Sequence, residues 1–425
     1  MTSAPPPVVT PPARTSVIPA SRTASVRVRA AALVRNPVFW VWVAAIIAIV
    51  PQPWHQLRMQ VDPIIDLHVY RDAGVSLLHH EPVYSHYTIT RYSVLPFTYP
   101  PLAALLAIPF AAIPLLVLGA LWDIAVYAVL AYVLWVVLAP IREQLRTWMP
   151  GLVPYLLPAA WLASAYLLVI RQQIHFGQVG LFLMALIVVD LLTPLTGRWR
   201  GVLVGFAAAI KLTPGIFIVG LFVAGRRDTR RASWVAAATF VLLSGLSAVV
   251  APGGSRAYWG SALFDSNRLG DNSAPANQSL RGMMLRTALD PGHATIAFVL
   301  LAVVVGAVGL WKASVAWRQG DDLFAVSLIG LLMALLSPVA WIHHFVFMIP
   351  LVIALARDHR WVPAILLGGL GFTNWANIWN HQLLDGNMTA LGPMRTVLVS
   401  TLGISMALAV LLLRVRSGAP RRPRP

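Results

Sequence analysis

Cysteine is absent from the 425 residues. Disulfide staples and thiolate catalysis are therefore excluded, and cysteine usage says nothing of compartment. Acids are scarce: 15 Asp and Glu stand against 32 Lys and Arg, and charged residues make up 11 % of the chain. Soluble domains usually carry about 25 % charge. No Walker loop follows a strand and no GxGxxG opens a dinucleotide site, which argues against a nucleotide-fuelled machine. HExxH and HxxxH spacings are missing too, so no metal and no other cofactor is expected. The net charge of +17 comes without a basic face of interleaved aromatics, which argues against nucleic-acid binding.

Apolar sequence is what remains. Hydrophobic residues make up 58 % of the chain, and the mean hydropathy is +0.73. The runs are continuous rather than alternating, which predicts an all-α polytopic membrane protein and not a β-barrel. Apolar segments fall near 38–51, 115–139, 152–170, 178–194, 201–212, 214–224, 233–252, 294–316, 322–337, 345–356, 361–377 and 394–413. Residues 1–36, rich in Pro, Ser, Thr, Ala and Arg, read as a disordered basic tail, followed by an uncleaved first helix. Alternating the segments from a cytoplasmic N-terminus puts Lys and Arg inside by more than two to one, as the positive-inside rule requires. This orientation places both termini in the cytoplasm, with 416–425 a second basic tail and 37–415 the membrane-embedded unit. Residues 52–114 become a long first outer loop and 253–293 a second. "GRWRG" and "GRRDTRR" both belong inside, yet 201–224 is too short for two full spans at about 1.5 Å per residue. Two half-length helices turning at Lys211–Pro214 resolve this, since Pro214 breaks a helix. The segment Tyr99–Ile113 reads as juxtamembrane or re-entrant on the outer side.

Every histidine except His359 falls in or beside the outer loops, with eight acids: Asp62, Asp66, Asp72, Glu81, Asp265, Asp271, Asp290 and Asp385. A protein that only spans and seals needs no such enrichment, so any chemistry belongs on the outer side. The densest stretch is "VDPIIDLHVYRDAG", Val61–Gly74. If it is helical, Asp62, Asp66 and Tyr70 share a face; if extended, Asp66, His68 and Tyr70 do. Either way Asp66 lies beside a hydroxyl or an imidazole, and a partly desolvated carboxylate suits a general base. Asp62 precedes Pro63 and reads as a turn residue; Asp72, near Arg71, reads as structural. Lys211, between half-helices, needs a partner: a lipid phosphate, Asp190, or an interface to which it snorkels. "RQQIHFGQ" (Arg171, His175, Gln178), "NQSLRG" (Asn277, Gln278, Arg281) and "SPVAWIHH" (Trp341, His343, His344) sit at outer helix ends. Their amides, imidazoles and guanidinium groups suit sugar hydroxyls and phosphate oxygens. Trp54, Trp341, Trp375 and Trp379 read mostly as interface anchors.

Together "DLHVYRDAG", "FTYPPLAALL", "GQVGLFLMALIVVDLL", "GVLVGFAAAIKLTPGIF", "NQSLRGMMLR" and "SPVAWIHHFVFMIPL" resemble, in order, the actinobacterial polyprenyl-phosphate-mannose-dependent α-(1→2)-mannosyltransferases. These form glycosyltransferase family 87, with the GT-C fold. The resemblance runs from about residue 61 to 355 and leaves the basic tails unmatched. It implies a GT-C bundle of about 12 transmembrane segments, two of them half-length, working at the outer face of the plasma membrane. Its donor would be a polyprenyl-phosphate mannose, and its acceptor a mannosylated glycolipid or lipoglycan, such as a phosphatidylinositol mannoside. Asp66 matches the position of the family's catalytic acid. Lys211, Arg171, His343 and His344 become candidates for the donor phosphate, and Asn277, Gln278 and Arg281 for sugar or phosphate. His68, Tyr70, Tyr99, His175, Gln178 and Trp341 are candidate substrate contacts. One departure stands out: the expected "GQVN" reads "GQVG", with Gly180 in place of an amide.

Two rival readings keep other outcomes open: the same fold moving arabinofuranose or making an α-(1→6) link, or a lipid-sugar flippase. A flippase would show repeated halves and midplane charges; no repeat is evident here. The topology has a direct test in this cysteine-free chain. A cysteine introduced near Asp66 should react with a membrane-impermeant thiol reagent in intact cells. Labelling only after lysis would invert the map.

Overall fold

The computed structural model describes residues 35–51, 64–90, 94–265, 268, 270–373 and 392–416. Asp62, Asp385, Trp54, Trp375, Trp379 and most of both basic tails lie outside the described residues. The apolar runs become helices, because in lipid the backbone must satisfy its own hydrogen bonds. The chain opens with α1 (Pro37–Ile49), capped where the Asn36 side chain accepts the Val38 N–H at 2.9 Å. Then come α2 (Ile65–Leu78) and a hairpin of β1 (Tyr87–Ile89) and β2 (Val94–Pro96), with Thr88 opposite Leu95. α3 (Pro101–Ala107) tightens into a 3₁₀ turn at Ile108–Ala112. α4 (Leu115–Val137), α5 (Ala139–Trp148), α6 (Val153–Ala165), α7 (Leu168–Phe176) and α8 (Gly180–Leu192) follow. Next are α9 (Val202–Ile210), α10 (Ile216–Ala224), α11 (Arg227–Val250), α12 (Pro252–Ala257) and α13 (Leu280–Leu285). Beyond α14 (Pro291–Gln319) and α15 (Asp322–Leu335), a 3₁₀ stretch at Ile342–Phe347 leads into α16 (Met348–Arg357). α17 (Trp361–Leu370), α18 (Gly392–Val399) and α19 (Thr401–Leu412) complete it.

The fold is helical as expected, with the hairpin of β1 and β2 as an addition that hydropathy did not reveal. By length and composition α4, α11 and α14 can each cross a membrane, and α6 with α7 makes a fourth candidate bent by 65°. That is fewer than the twelve apolar segments of the sequence, because most of those runs fold as helices of 10–17 residues. The segment 201–224 breaks where its proline requires. α9 stops at Ile210, Lys211 is extended, and a 3₁₀ turn holding Pro214 leads into α10. Lys211 does not pair with Asp190. That carboxylate is fully buried, accepting the Gly201 N–H at 3.0 Å and the Val204 N–H at 2.9 Å, so it caps α9 instead.

Two hydrophobic cores share Trp122 and Val179 at their edges. The larger one runs through α4, α8, α15 and α16; the smaller is aromatic, with Tyr70, Tyr84, Phe97, Tyr99 and Tyr258. Residues 99–113 fold back onto α2. Gly74 lets the Ala107 carbonyl approach so closely that a Cβ there would sit 2.4 Å from its oxygen. Arg71 reaches over the same contact, donating to the carbonyls of Ile113 at 3.1 Å and Ala111 at 3.3 Å. Asp72 faces His68 at 3.6 Å rather than Arg71.

The start of α2 is held unusually. Ile64, just before it, is left-handed (φ 53°, ψ 35°), a costly conformation for a β-branched residue. Its N–H donates to the His175 carbonyl at 2.7 Å. Gly177, also left-handed (φ 68°), ends α7, and a Cβ there would lie 2.5 Å from the Leu67 Cβ. Gly177→Ala should therefore lower the thermal midpoint of the purified protein, at a cost of about 1–3 kcal/mol. Gly253→Ala, where a new Cβ meets nothing within 4 Å, should leave it unchanged. Equal midpoints for the two variants would contradict this account of the joint.

Candidate active site

Asp66 occupies the first turn of α2 without capping it, since the helix has no side-chain cap. One turn on, Tyr70 shares its face, so the helical alternative for this stretch holds. The Tyr70 and Tyr99 hydroxyls are 2.9 Å apart, and their rings meet edge to face at 5.1 Å. Tyr99 donates to Gln178 Oε1 at 3.5 Å. With its carbonyl so engaged, Gln178 turns its amide NH₂ toward the Asp66 carboxylate. Lys211 Nζ lies 3.5 Å from the Tyr99 hydroxyl, 5.0 Å from that ring's centre and 3.1 Å from His344 Nε2. Burial pushes the Asp66 carboxyl up to about 6, against the Gln178 hydrogen bond and the Lys211 charge, which both favour the ionised form.

His344 fixes the polarity of the far end. Its Nδ1 accepts the Trp341 N–H at 3.2 Å, so the neutral ring carries its hydrogen on Nε2. Nε2–H and the Lys211 ammonium then converge as two donors, with no acceptor between them among the described residues. Such a pair is suited to an anionic oxygen. His343, beside it, is 3 % exposed, and neither ring nitrogen has a hydrogen-bond partner among the described residues; its ring packs on Phe176 and His344.

The cluster thus brings together Asp66, Tyr70, Tyr99, Gln178, Lys211, Trp341 and His344, with His343 and the half-buried His175 at its edge. Other candidates stand apart. His68 faces Asp72, and Arg171 is exposed on α7. Arg281 is half-buried on α13, outside this hydrogen-bond network. Asn277 and Gln278 are fully buried and engaged with backbone. Asn277 accepts from Ala340 and Ser279 and donates to the Asn272 carbonyl at 2.8 Å. Gln278 donates to the Pro275 and Val399 carbonyls and accepts the Gly403 N–H at 2.9 Å. Through these bonds they position the loop that carries Trp341. Of the acids that the charge map assigns to loops, Asp271 closes a turn on Ser273, and Asp290 caps α14 and contacts His293. Among the described residues no three of His, Cys, Asp and Glu assemble as a metal site.

Two polar residues escaped the sequence reading. Gln173 is fully buried; it donates to the His343 carbonyl at 2.6 Å and accepts the Leu181 N–H at 3.2 Å. A Cβ at position 180 would lie 2.8 Å from its Nε2, so Gly180 makes room for this amide. Asp123, an acid inside the apolar run of α4, buries an Oδ1 that has no hydrogen-bond partner among the described residues. A carboxylate in such a run was itself the signal.

Comparison with known proteins gives a consistent result. The profile of glycosyltransferase family 87 matches residues 97–338. That span includes Tyr99, Gln178 and Lys211, while Asp66 and His344 lie outside it and join the cluster only through the fold. A Mycolicibacterium smegmatis protein is 34 % identical over 343 residues, 74 % of this chain and 76 % of its own length. It is named polyprenol-phosphate-mannose-dependent alpha-(1-2)-phosphatidylinositol mannoside mannosyltransferase. A Mycobacterium tuberculosis protein of the same name is 30 % identical over 74 % of this chain and 76 % of its own. A second one from that species, named for a phosphatidylinositol pentamannoside, is 31 % identical over 71 % of this chain and 68 % of its own. No solved structure matches.

The raised Asp66 carboxyl can be observed directly. A hydrophobic carbodiimide modifies only protonated carboxyls. Labelling of Asp66, read by peptide mass spectrometry, should persist up to pH about 6 and fade above it. Lys211→Met removes a charge that favours the carboxylate, so labelling should extend to higher pH. A loss of labelling near pH 4 in both proteins would rule out the buried environment.

Proposed function

The chain belongs to glycosyltransferase family 87, and from that premise we propose that it moves mannose from a polyprenyl-phosphate carrier to a phosphatidylinositol mannoside. In this reading the new link is α-(1→2) and the reaction inverts a β-linked donor at the outer face of the membrane. The observation that carries it is the pairing of one half-buried carboxylate with a two-donor cradle, Lys211 Nζ and His344 Nε2, 3.1 Å apart. Donor and acceptor classes are taken from the names of the relatives. The outer face follows from the charge map. The GT-C bundle of about twelve segments adds to the three long helices and the bent pair a set of shorter apolar helices that would complete it.

The chemistry is one in-line displacement. The acceptor's 2-hydroxyl oxygen bonds to the anomeric carbon as the bond from that carbon to the phosphate oxygen breaks. Asp66 takes the hydroxyl proton, and the departing polyprenyl phosphate keeps the electron pair. A carboxyl poised at about 6 is ionised at neutral pH yet more basic than an exposed acid, which suits that role. The phosphate needs charge stabilisation more than a proton, and Lys211 with the Nε2–H of His344 supplies it. Tyr70, Tyr99 and Gln178 hold carboxylate and cation in register without letting them touch. The folded-back segment of α3 frames one side of an apolar path for the polyprenyl tail.

The test is transfer by the purified chain, using radiolabelled polyprenyl-phosphate mannose and phosphatidylinositol mannosides of different length. Asp66→Asn should lower the rate by roughly 10²–10⁴-fold. In the native protein kcat/KM should fall roughly tenfold per pH unit below about 6, because protonation removes the base. The raised value means this loss begins about two units above where an ordinary Asp would titrate. Undiminished turnover in Asp66→Asn would refute the base assignment, and carrier movement across vesicles without product would favour a flippase.

A further inference from the structure

A second polar site lies away from this cluster. Arg357, at the end of α16, is thirteen residues beyond His344, on the order of 20 Å of helical path at about 1.5 Å per residue. A cavity of about 370 Å³ opens there, lined by Arg357, Asp358, His359, Arg360, Arg414 and Arg416 among others. Arg357 is neutralised locally, bonding Asp321 at 2.8 and 2.7 Å and Asp358 at 2.7 and 3.0 Å. Arg416 also reaches Asp358, at 3.2 Å. Four arginines therefore face two carboxylates. Arg360 donates to the Arg414 carbonyl at 2.8 Å, and the Arg414 guanidinium has no partner among the described residues. Arg360 is also the residue before α17, whose first turn has no side-chain cap. Its open N–H groups add to the attraction for an anion.

The surroundings indicate what kind of anion. α17 leaves the pocket with Trp361 54 %, Val362 71 %, Ile365 68 % and Leu366 63 % exposed. An exposed apolar helix face with a Trp at its mouth is an interfacial arrangement. A soluble phosphate has no use for it; acyl chains do. We propose that this pocket holds the headgroup phosphate of an anionic glycerophospholipid, with Arg360 and Arg414 as its ligands and its chains along Val362, Ile365 and Leu366. Basic pockets between helices at a membrane face are suited to such headgroups. By the charge map this is the inner leaflet. The proposal does not depend on the transfer reaction.

Native mass spectrometry and thermal unfolding of the full chain in detergent test it, with added phosphatidylglycerol, phosphatidylcholine or inorganic phosphate in separate arms. Phosphatidylglycerol should be retained and raise the midpoint. Each arginine removed should weaken retention about fivefold, in Arg414→Gln and again in Arg360→Gln/Arg414→Gln. Arg360→Lys/Arg414→Lys should restore most of it. Equal retention by Arg360→Gln/Arg414→Gln and the native protein would overturn the proposal. So would equal retention of phosphatidylcholine, or the same stabilisation by inorganic phosphate. If the double Gln variant fails to fold, Arg414→Gln decides alone, since its side chain supports nothing else described, and unchanged retention there overturns the proposal too.

Discussion

A half-buried base that stays ionised near neutral pH, yet keeps a raised basicity, needs a cation within reach but not in contact. Asp66 and Lys211 meet that constraint through the two groups between them. A direct ion pair at 4 Å, with an effective dielectric of 20, is worth about 4 kcal/mol. That would hold the carboxyl about three pH units lower and leave it too weak to take a hydroxyl proton. With no cation at all, burial would push the carboxyl further toward its protonated form. Tyr99 and Gln178 set the intermediate case: Lys211 bonds the tyrosine, the tyrosine bonds the amide carbonyl, and the amide NH₂ faces the carboxylate. The network spans α2, the start of α3, the start of α8 and the break after α9, so those elements must meet at one point.

That requirement explains backbone features that would otherwise be costly without return. The left-handed Ile64 and the glycine at 177 bring α2 against the end of α7. Gly74 lets α3 close over its other side. Each removes a side chain or accepts strain where two helices approach within backbone contact, and each adjusts where Asp66 or Tyr99 stands. The hydrogen bonds of Asn277 and Gln278 do similar work at a distance. They tie residues 277–278 to Ala340, Val399 and Gly403, and so fix the turn from which Trp341 orients His344.

Much of this is legible in the sequence. The helices follow from apolar runs, and the break at 211–214 from one proline between two arginine-rich loops. Asp66 stood out because a familiar motif surrounds it. What could not be read is which polar group meets which. "NQSLRG" looks like a substrate-binding motif, but its two amides bond backbone carbonyls and N–H groups, half of them nearby in the chain and half on Ala340, Val399 and Gly403. The tautomer of His344 depends on one N–H three residues before it, and that N–H is aimed by tertiary packing. Gln173 was passed over between Arg171 and His175, although an amide on a helix face turned toward a core has to find partners. The hairpin was missed because three-residue strands leave almost no pattern in a hydropathy trace.

Gly180 shows the same limit from the opposite side. Read alone, a glycine where the resemblance leads one to expect an amide suggests a lost contact. In the fold, the space beside it is filled by Gln173, which bonds the carbonyl of His343 and the first turn of α8. A side chain at 180 and Gln173 in its present place exclude each other, since even a Cβ would come within 2.8 Å of the amide nitrogen. In this chain the amide on the α7 side of the α7–α8 turn braces the segment carrying His343 and His344 against the helix that begins beside Gln178. A change at one position of a motif is thus interpretable only with the residue that occupies the vacated volume, and that residue lies one helix away.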